Sequence, residues 1–255
     1  MLNLLINTAG VYVLVLFRVA GMMIFAPLLG SSRIPKRVRV IVALVLAAAL
    51  APSVAPPAQL PQDAWQMTLA IGGEILFGLA MGFILSMIFV AAQWAGEIIG
   101  QQMGLNLGET FDPQYGARTS AVGDIYYFLT LMIFLAVDGD RATLRGLHDS
   151  FGPLPLLSVG INRPILDMII GLFGAATHLA MQLAAPILVT MIIVDLVLGF
   201  VGKTVPQLNV MTAGIALRSL VGMVVLIVGL SLTSAVIRDS LFDSMKLLYS
   251  GYTTP

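Results

Sequence analysis

Six stretches of this chain stay apolar for longer than a water-facing fold can hide. They cover residues 4–29, 38–51, 67–99, 125–137, 165–201 and 208–237. Only 10% of the 255 residues are charged and 58% are hydrophobic; soluble domains carry about 25% charged and 45–50% apolar residues. So few charges cannot clothe a surface in water, and the chain reads as an integral membrane protein. Lipid leaves backbone groups no outside partner, so spanning segments must be helices or a closed barrel. The regular alternation of barrel strands is absent. The expected fold is an all-α membrane protein with about six long hydrophobic helices.

The segment lengths are uneven. Crossing a bilayer takes about 20 apolar residues, yet segments two and four have 14 and 13, while three and five exceed 30. Either the short ones extend into polar flanks and the long ones tilt or kink, or some helices are surrounded by partner subunits and do not span. The first segment has no basic leader and holds Arg18, so it reads as a retained helix and not a cleaved signal. The link 30–39 (GSSRIPKRVR) carries four basic and no acidic residues, which places it in the cytoplasm and the N-terminus outside. Residues 52–66, rich in proline and free of Lys and Arg, suit the opposite side. Beyond residue 100 the charge bias fades.

Several function classes fall away. Net charge is zero, so nothing favours nucleic acid. There is no cysteine, and His148 and His178 are the only histidines. The chain also lacks nucleophile-elbow, phosphate-loop, zinc-protease and dinucleotide motifs. No catalytic residue, cofactor or metal ligand is expected. Around Leu144, Leu147 and Phe151 the apolar spacing predicts a short amphipathic helix, read as a connecting helix.

Three features invite closer reading. Gly96, Gly100, Gly104 and Gly108 recur every fourth residue, and Gly78 and Gly82 form another such pair. This spacing lets helix backbones approach closely. After the ladder comes a polar stretch, GETFDPQYGARTSAVGD (108–124), whose Asp-Pro and Tyr-Gly steps predict a loop. By itself it reads as a connector; folded into a lumen, such a loop would obstruct it. Finally Arg18, Glu74, Glu97, Asp195 and Arg218 lie inside apolar segments. Each costs roughly 2.5–3.5 kcal/mol at a bilayer centre, so each should face protein or water. Three acids and two bases suit pairing at helix or subunit contacts better than a relay, with Arg218 a possible partner of Asp195. Asp195 and Lys203, eight residues apart, lie about 12 Å apart along a helix axis, too far for a direct pair.

The motifs together resemble the FliR family of flagellar type III export-gate membrane proteins, related to the injectisome family SctT. The resemblance rests on PLLGSSRIPKRVRV (27–40), GEILFGLAMGF (73–83), Asp112-Pro113, DSFGPLP (149–155) and DLVLGFVGKTVPQLNV (195–210). It implies a structural and gating subunit of the bacterial inner membrane, at the flagellar basal body. Such a subunit joins FliP-like and FliQ-like subunits in a helical gate, with FlhB-like and FlhA-like components alongside, and passes unfolded flagellar substrates. The resemblance further implies a FliP-like part over 1–163 and a FliQ-like hairpin over 164–255. Lys203, Pro206, Gln207 and Asn209 would form the hairpin turn. Phe111, Asp112, Pro113 and Gln114 would belong to a plug that gates the pore, and several helices would be non-spanning. An ion-coupled secondary transporter is the reading from a different class; carriers are commonly built on repeats with broken helices, of which this chain shows a faint echo.

Overall fold

A computed structural model describes residues 2–27, 30, 34–57, 61, 63–105, 120–157, 163–205 and 210–250. Among them every regular element is helical: α1 (Leu2–Phe25), α2 (Lys36–Leu50), a 3-10 turn (Ala51–Ser53), α3 (Ala64–Gln102), α4 (Ala121–Ala136), α5 (Gly139–Asp149), α6 (Arg163–Thr204) and α7 (Val210–Ser250). The chain is an all-α membrane protein. Helices α3, α6 and α7 hold 39, 42 and 41 residues. At about 1.5 Å per residue each runs roughly 60 Å, about twice the hydrocarbon thickness of a bilayer. By length and composition three of the described helices can cross a membrane, or four if α4 and α5, bent by 67° at their junction, count as one span. Helix α2, at 15 residues, is shorter than a bilayer requires.

The bend has a local cause. Asp138 adopts the left-handed conformation at φ 55°, which stops α4 and starts α5 in a new direction. Gly139 follows because a Cβ there would lie 2.5 Å from Phe134 Cε2. Helix α5 then turns Gly139, Thr143, Gly146 and Leu147 inward. The amphipathic pattern therefore serves the protein's own core, as a connecting helix does.

The chain folds into two compact units. The first takes Met1–Met87, Phe134–Leu172 and Leu241–Pro255; the second takes Ile88–Ile133 and Phe173–Ser240. The boundaries between the units fall within α3, α4, α6 and α7. In the first unit Leu14, Val15 and Met22 of α1 pack with Ala47 of α2, Leu85 of α3 and Leu147 of α5. Helix α2 faces this core with alanines, and Tyr12 Oη donates to Leu44 O at 3.1 Å. In the second unit α3 contributes Ala91, Ala92 and Ala95, and α6 contributes Ala180, Ala184 and Met191. Phe89 and Tyr127 meet edge to face at 5.7 Å. Along the hairpin of α6 and α7, Leu196, Phe200, Ile227 and Val228 are all at least 65% exposed. Apolar surface of this extent needs lipid or other protein against it.

Candidate functional site

In the first unit, glycine sets the geometry. Gly21 on α1 and Gly78 and Gly82 on α3 face the opposite helix so closely that a Cβ on Gly78 would fall on Arg18 O, 2.8 Å from Met22 N. A Cβ on Gly82 would meet Met22 O, and one on Gly21 would meet Ile75 O. Glu74, Gly78 and Gly82 lie four residues apart and so share one face of α3.

That approach brings a charge pair into the core. Arg18 Nε lies 2.6 Å from Glu74 Oε2, with both side chains at most 1% exposed. Arg18 Nη1 donates to Ser150 Oγ at 3.3 Å, and Nη1 and Nη2 both donate to Leu154 O at 3.2 Å. Ser150 Oγ in turn donates to Leu147 O at 2.7 Å. The second carboxylate oxygen of Glu74 accepts from Leu157 N at 3.1 Å. Phe77 and Phe151 flank the guanidinium, their ring centres 4.8 and 4.3 Å from Cζ. Burying two ions is tolerable only when geometry and extra hydrogen bonds offset desolvation, and this cluster meets that condition. It ties α1, α3 and the turn after α5 together. The sequence signalled that Arg18 and Glu74 needed partners; it gave no sign that Ser150 and two backbone groups of 154–157 would complete the set.

In the second unit Gly96 packs on α4: a Cβ there would lie 2.6 Å from both Gly123 Cα and Val122 O. Gly100 is buried. Gly104 has a different role from its ladder neighbours. It stands past the end of α3 with φ 73°, its N–H bonded to Gln101 O at 3.0 Å, and Leu105 N bonded to Gly100 O at 3.0 Å. These two bonds make a Schellman cap, which favours glycine because no Cβ opposes the left-handed conformation. Gly108 and the expected plug residues Phe111, Asp112, Pro113 and Gln114 lie outside the described residues, as do Pro206, Gln207 and Asn209. Glu97 is half-buried beside α4, with its Cγ 3.4 Å from a Cβ on Gly123; no ion pair to it forms among the described residues. Lys203 is exposed near the end of α6.

Asp195 of α6 and Arg218 of α7 meet across the hairpin, Oδ1 to Nη2 at 2.6 Å, with side chains 44% and 39% exposed. One residue on, Ser219 Oγ lies 2.9 Å from Met103 O and 3.0 Å from Ile215 O. Gly222 receives Met103: a Cβ there would lie 2.5 Å from Met103 Cγ and 2.9 Å from Met191 Cε. Ser219, Gly222, Gly21 and Gly123 did not stand out in sequence, because their roles depend on what lies opposite. The five intramembrane charges thus divide into two pairs and Glu97, and no continuous chain of titratable groups links them among the described residues.

A test of the hairpin pair is Asp195→Asn. Interhelical polar contacts in membranes are worth about 0.6–2 kcal/mol, so the variant should weaken hairpin-dependent assembly roughly 3- to 30-fold. Conductance per assembled complex should stay unchanged. Quantitative co-purification together with single-channel recording checks this; normal assembly with lost proton-driven export would restore the relay reading.

The family model described as "Bacterial export proteins, family 1" matches residues 9–244. The chain belongs to this export family. Among its relatives, the flagellar biosynthetic protein FliR of Bacillus subtilis (strain 168) is 32% identical over 241 residues, 93% of each chain. FliR of Aquifex aeolicus (strain VF5) is 28% identical over 232 residues, covering 91% of this chain and 89% of the relative. The Yop proteins translocation protein T of Yersinia pestis is 27% identical over 168 residues, 65% and 64% of the two chains. The membership and the apolar helices agree: this export-family chain is a membrane component, and its resemblance to FliR covers nearly its whole length.

Proposed function

We propose that the chain is a structural and gating subunit of the flagellar type III export gate in the bacterial inner membrane. With FliP-like and FliQ-like subunits it forms the channel for unfolded flagellar substrates, next to FlhB-like and FlhA-like components. The observation that carries this reading is the end-to-end match to FliR of Bacillus subtilis, 93% of both chains. The exposed apolar surface of the α6–α7 hairpin supports it, since a multi-subunit gate would cover that surface. Residues 1–163 form the FliP-like part and 164–255 the FliQ-like hairpin. The polar loop 108–124, with Phe111, Asp112, Pro113 and Gln114, closes the pore. An injectisome subunit is the second reading, supported by the Yersinia relative over 65% of this chain; the longer flagellar match outweighs it.

Co-expression with FliP-like and FliQ-like chains should yield one stable complex, whereas a carrier would purify alone or as a symmetric oligomer. Deleting residues 110–116 in that complex should raise ion leakage at least tenfold, measured as dye or potential loss from vesicles. Unchanged leakage would leave a scaffold without a gating role. Solute uptake by the isolated chain in liposomes would refute the gate reading altogether.

A further inference from the structure

We infer that the exposed surface of α2 is a docking site for an anionic phospholipid, with Lys36 and Arg37 holding its phosphate and the aliphatic side chains below them lying along its acyl chains.

Helix α2 turns Ala43 and Ala47 into the core of the first unit. Two exposed rows run down the rest of its surface at four-residue spacing, each headed by a cation. One is Lys36, Val40 and Leu44; the other is Arg37, Ile41 and Val45. Residues four apart are neighbours on a helix face, and each row falls about 12 Å along the axis. Both cations are exposed, and the four aliphatic side chains belong to residues 39–62% exposed. Positive charge above aliphatic surface complements a lipid, which carries a charged head on apolar chains. The stems of Lys36 and Arg37 can lie along those chains while their heads reach the phosphate, and a guanidinium grips phosphate oxygens in a bidentate way.

Among the described residues nothing neutralises Lys36 and Arg37. The chain has no Asp or Glu before Asp63, and no ion pair to either cation forms among the described residues. Arg39, two residues on, adds a third positive charge. Exposed cations elsewhere keep an aspartate within reach: Arg141 with Asp138 at 3.4 Å, Arg238 with Asp239 at 3.7 Å and Lys246 with Asp243 at 3.9 Å. The patch on α2 therefore suits a ligand with net negative charge. A zwitterionic lipid suits it less, since its own ammonium competes for the phosphate. A soluble anion suits it less too, because it leaves the aliphatic rows uncovered.

The test is native mass spectrometry of the full chain in micelles, titrated with dioleoyl phosphatidylglycerol or dioleoyl phosphatidylcholine. These lipids share acyl chains and differ in net charge. Each cation beside an anionic lipid contributes roughly fivefold, so the parent should bind phosphatidylglycerol roughly 25-fold more tightly than phosphatidylcholine. Lys36→Gln or Arg37→Gln alone should lower that preference roughly fivefold, and the two together should abolish it. Lys36→Arg and the distant Lys246→Gln should keep it. Ile41→Asn with Val45→Asn should weaken both lipids severalfold. Glycerol 3-phosphate, which has the phosphate without the chains, should not displace phosphatidylglycerol. Equal binding of the two lipids by the parent overturns the assignment, as does a preference that survives the double exchange. Displacement by glycerol 3-phosphate would make the patch a phosphate site and overturn it too. The complex with FliP-like and FliQ-like chains separates lipid from protein. Phosphatidylglycerol bound there with the same dependence on Lys36 and Arg37 supports the lipid; its loss on assembly means that a neighbouring subunit covers α2 instead.

Discussion

Glu74→Ala is expected to destabilise the first unit by about 3–5 kcal/mol, the range for removing one partner of a buried ion pair. The substitution leaves Arg18, 0% exposed, with one hydroxyl, one carbonyl and two aromatic faces. Cation–π contacts contribute roughly 0.5–2 kcal/mol and cannot offset a lost carboxylate at 2.6 Å. Leu157 N would lose its acceptor as well, at a further penalty of order 1–3 kcal/mol if it stays buried. Arg18→Ala should also be strongly destabilising, because it leaves the Glu74 carboxylate buried without its cation. Arg18→Met combined with Glu74→Leu should recover most of the loss, since apolar residues of similar volume often replace a buried pair without penalty. Equilibrium unfolding in mixed micelles measures all three variants against the parent. A loss below about 1 kcal/mol for Glu74→Ala would show that the pair does not hold the unit together.

Gly78→Ala comes next in expected effect, and Gly72→Ala is its control. Both exchanges remove a helical glycine, a gain of about 0.8–1 kcal/mol from helix propensity alone. At Gly72 a Cβ meets nothing within 4 Å, so that gain should appear as added stability. At Gly78 the Cβ falls on the carbonyl oxygen of Arg18 and within 3.0 Å of Arg18 C. These are backbone atoms of a helix, and they cannot swing aside as a side chain would. Helices α1 and α3 must separate, which stretches the Arg18–Glu74 contact. Overpacking usually costs about 1–3 kcal/mol; with the strained ion pair added, Gly78→Ala should fall at least 3 kcal/mol below Gly72→Ala. Equal stability of the two variants would mean that the close approach of α1 and α3 is not required.

Both predictions turn on residues whose sequence signal was incomplete. Glycines at 78 and 82, four apart, announced a close helix contact, but the partner α1 and its Gly21 had no such spacing to announce them. Gly104 shows the opposite case. It shares the four-residue period of Gly96 and Gly100, yet α3 ends at Gln102, so Gly104 caps the helix where its neighbours pack inside it. A period cannot reveal where the helix carrying it stops. The charges divide similarly. Arg18 and Glu74 were legible as residues in need of partners, because an unpaired charge in an apolar segment is too costly to persist. Their pairing over 56 positions of sequence was not, because it depends on how α1 and α3 cross.

What the sequence determined by itself is everything set by solvent and local chemistry. Lipid as the surrounding medium follows from the scarcity of charge, helices follow from the backbone's need for internal hydrogen bonds, and membership in an export family follows from the order of its motifs. What only the tertiary structure decided is which side chain faces which. The notch at Gly222, the hydroxyl of Ser219 on Met103 O and the turn at 154–157 closing over Arg18 involve residues that are unremarkable along the chain. They acquire their roles because distances of 2.5–3.5 Å are set by helix crossings, and those depend on the whole packed surface instead of any local run of residues.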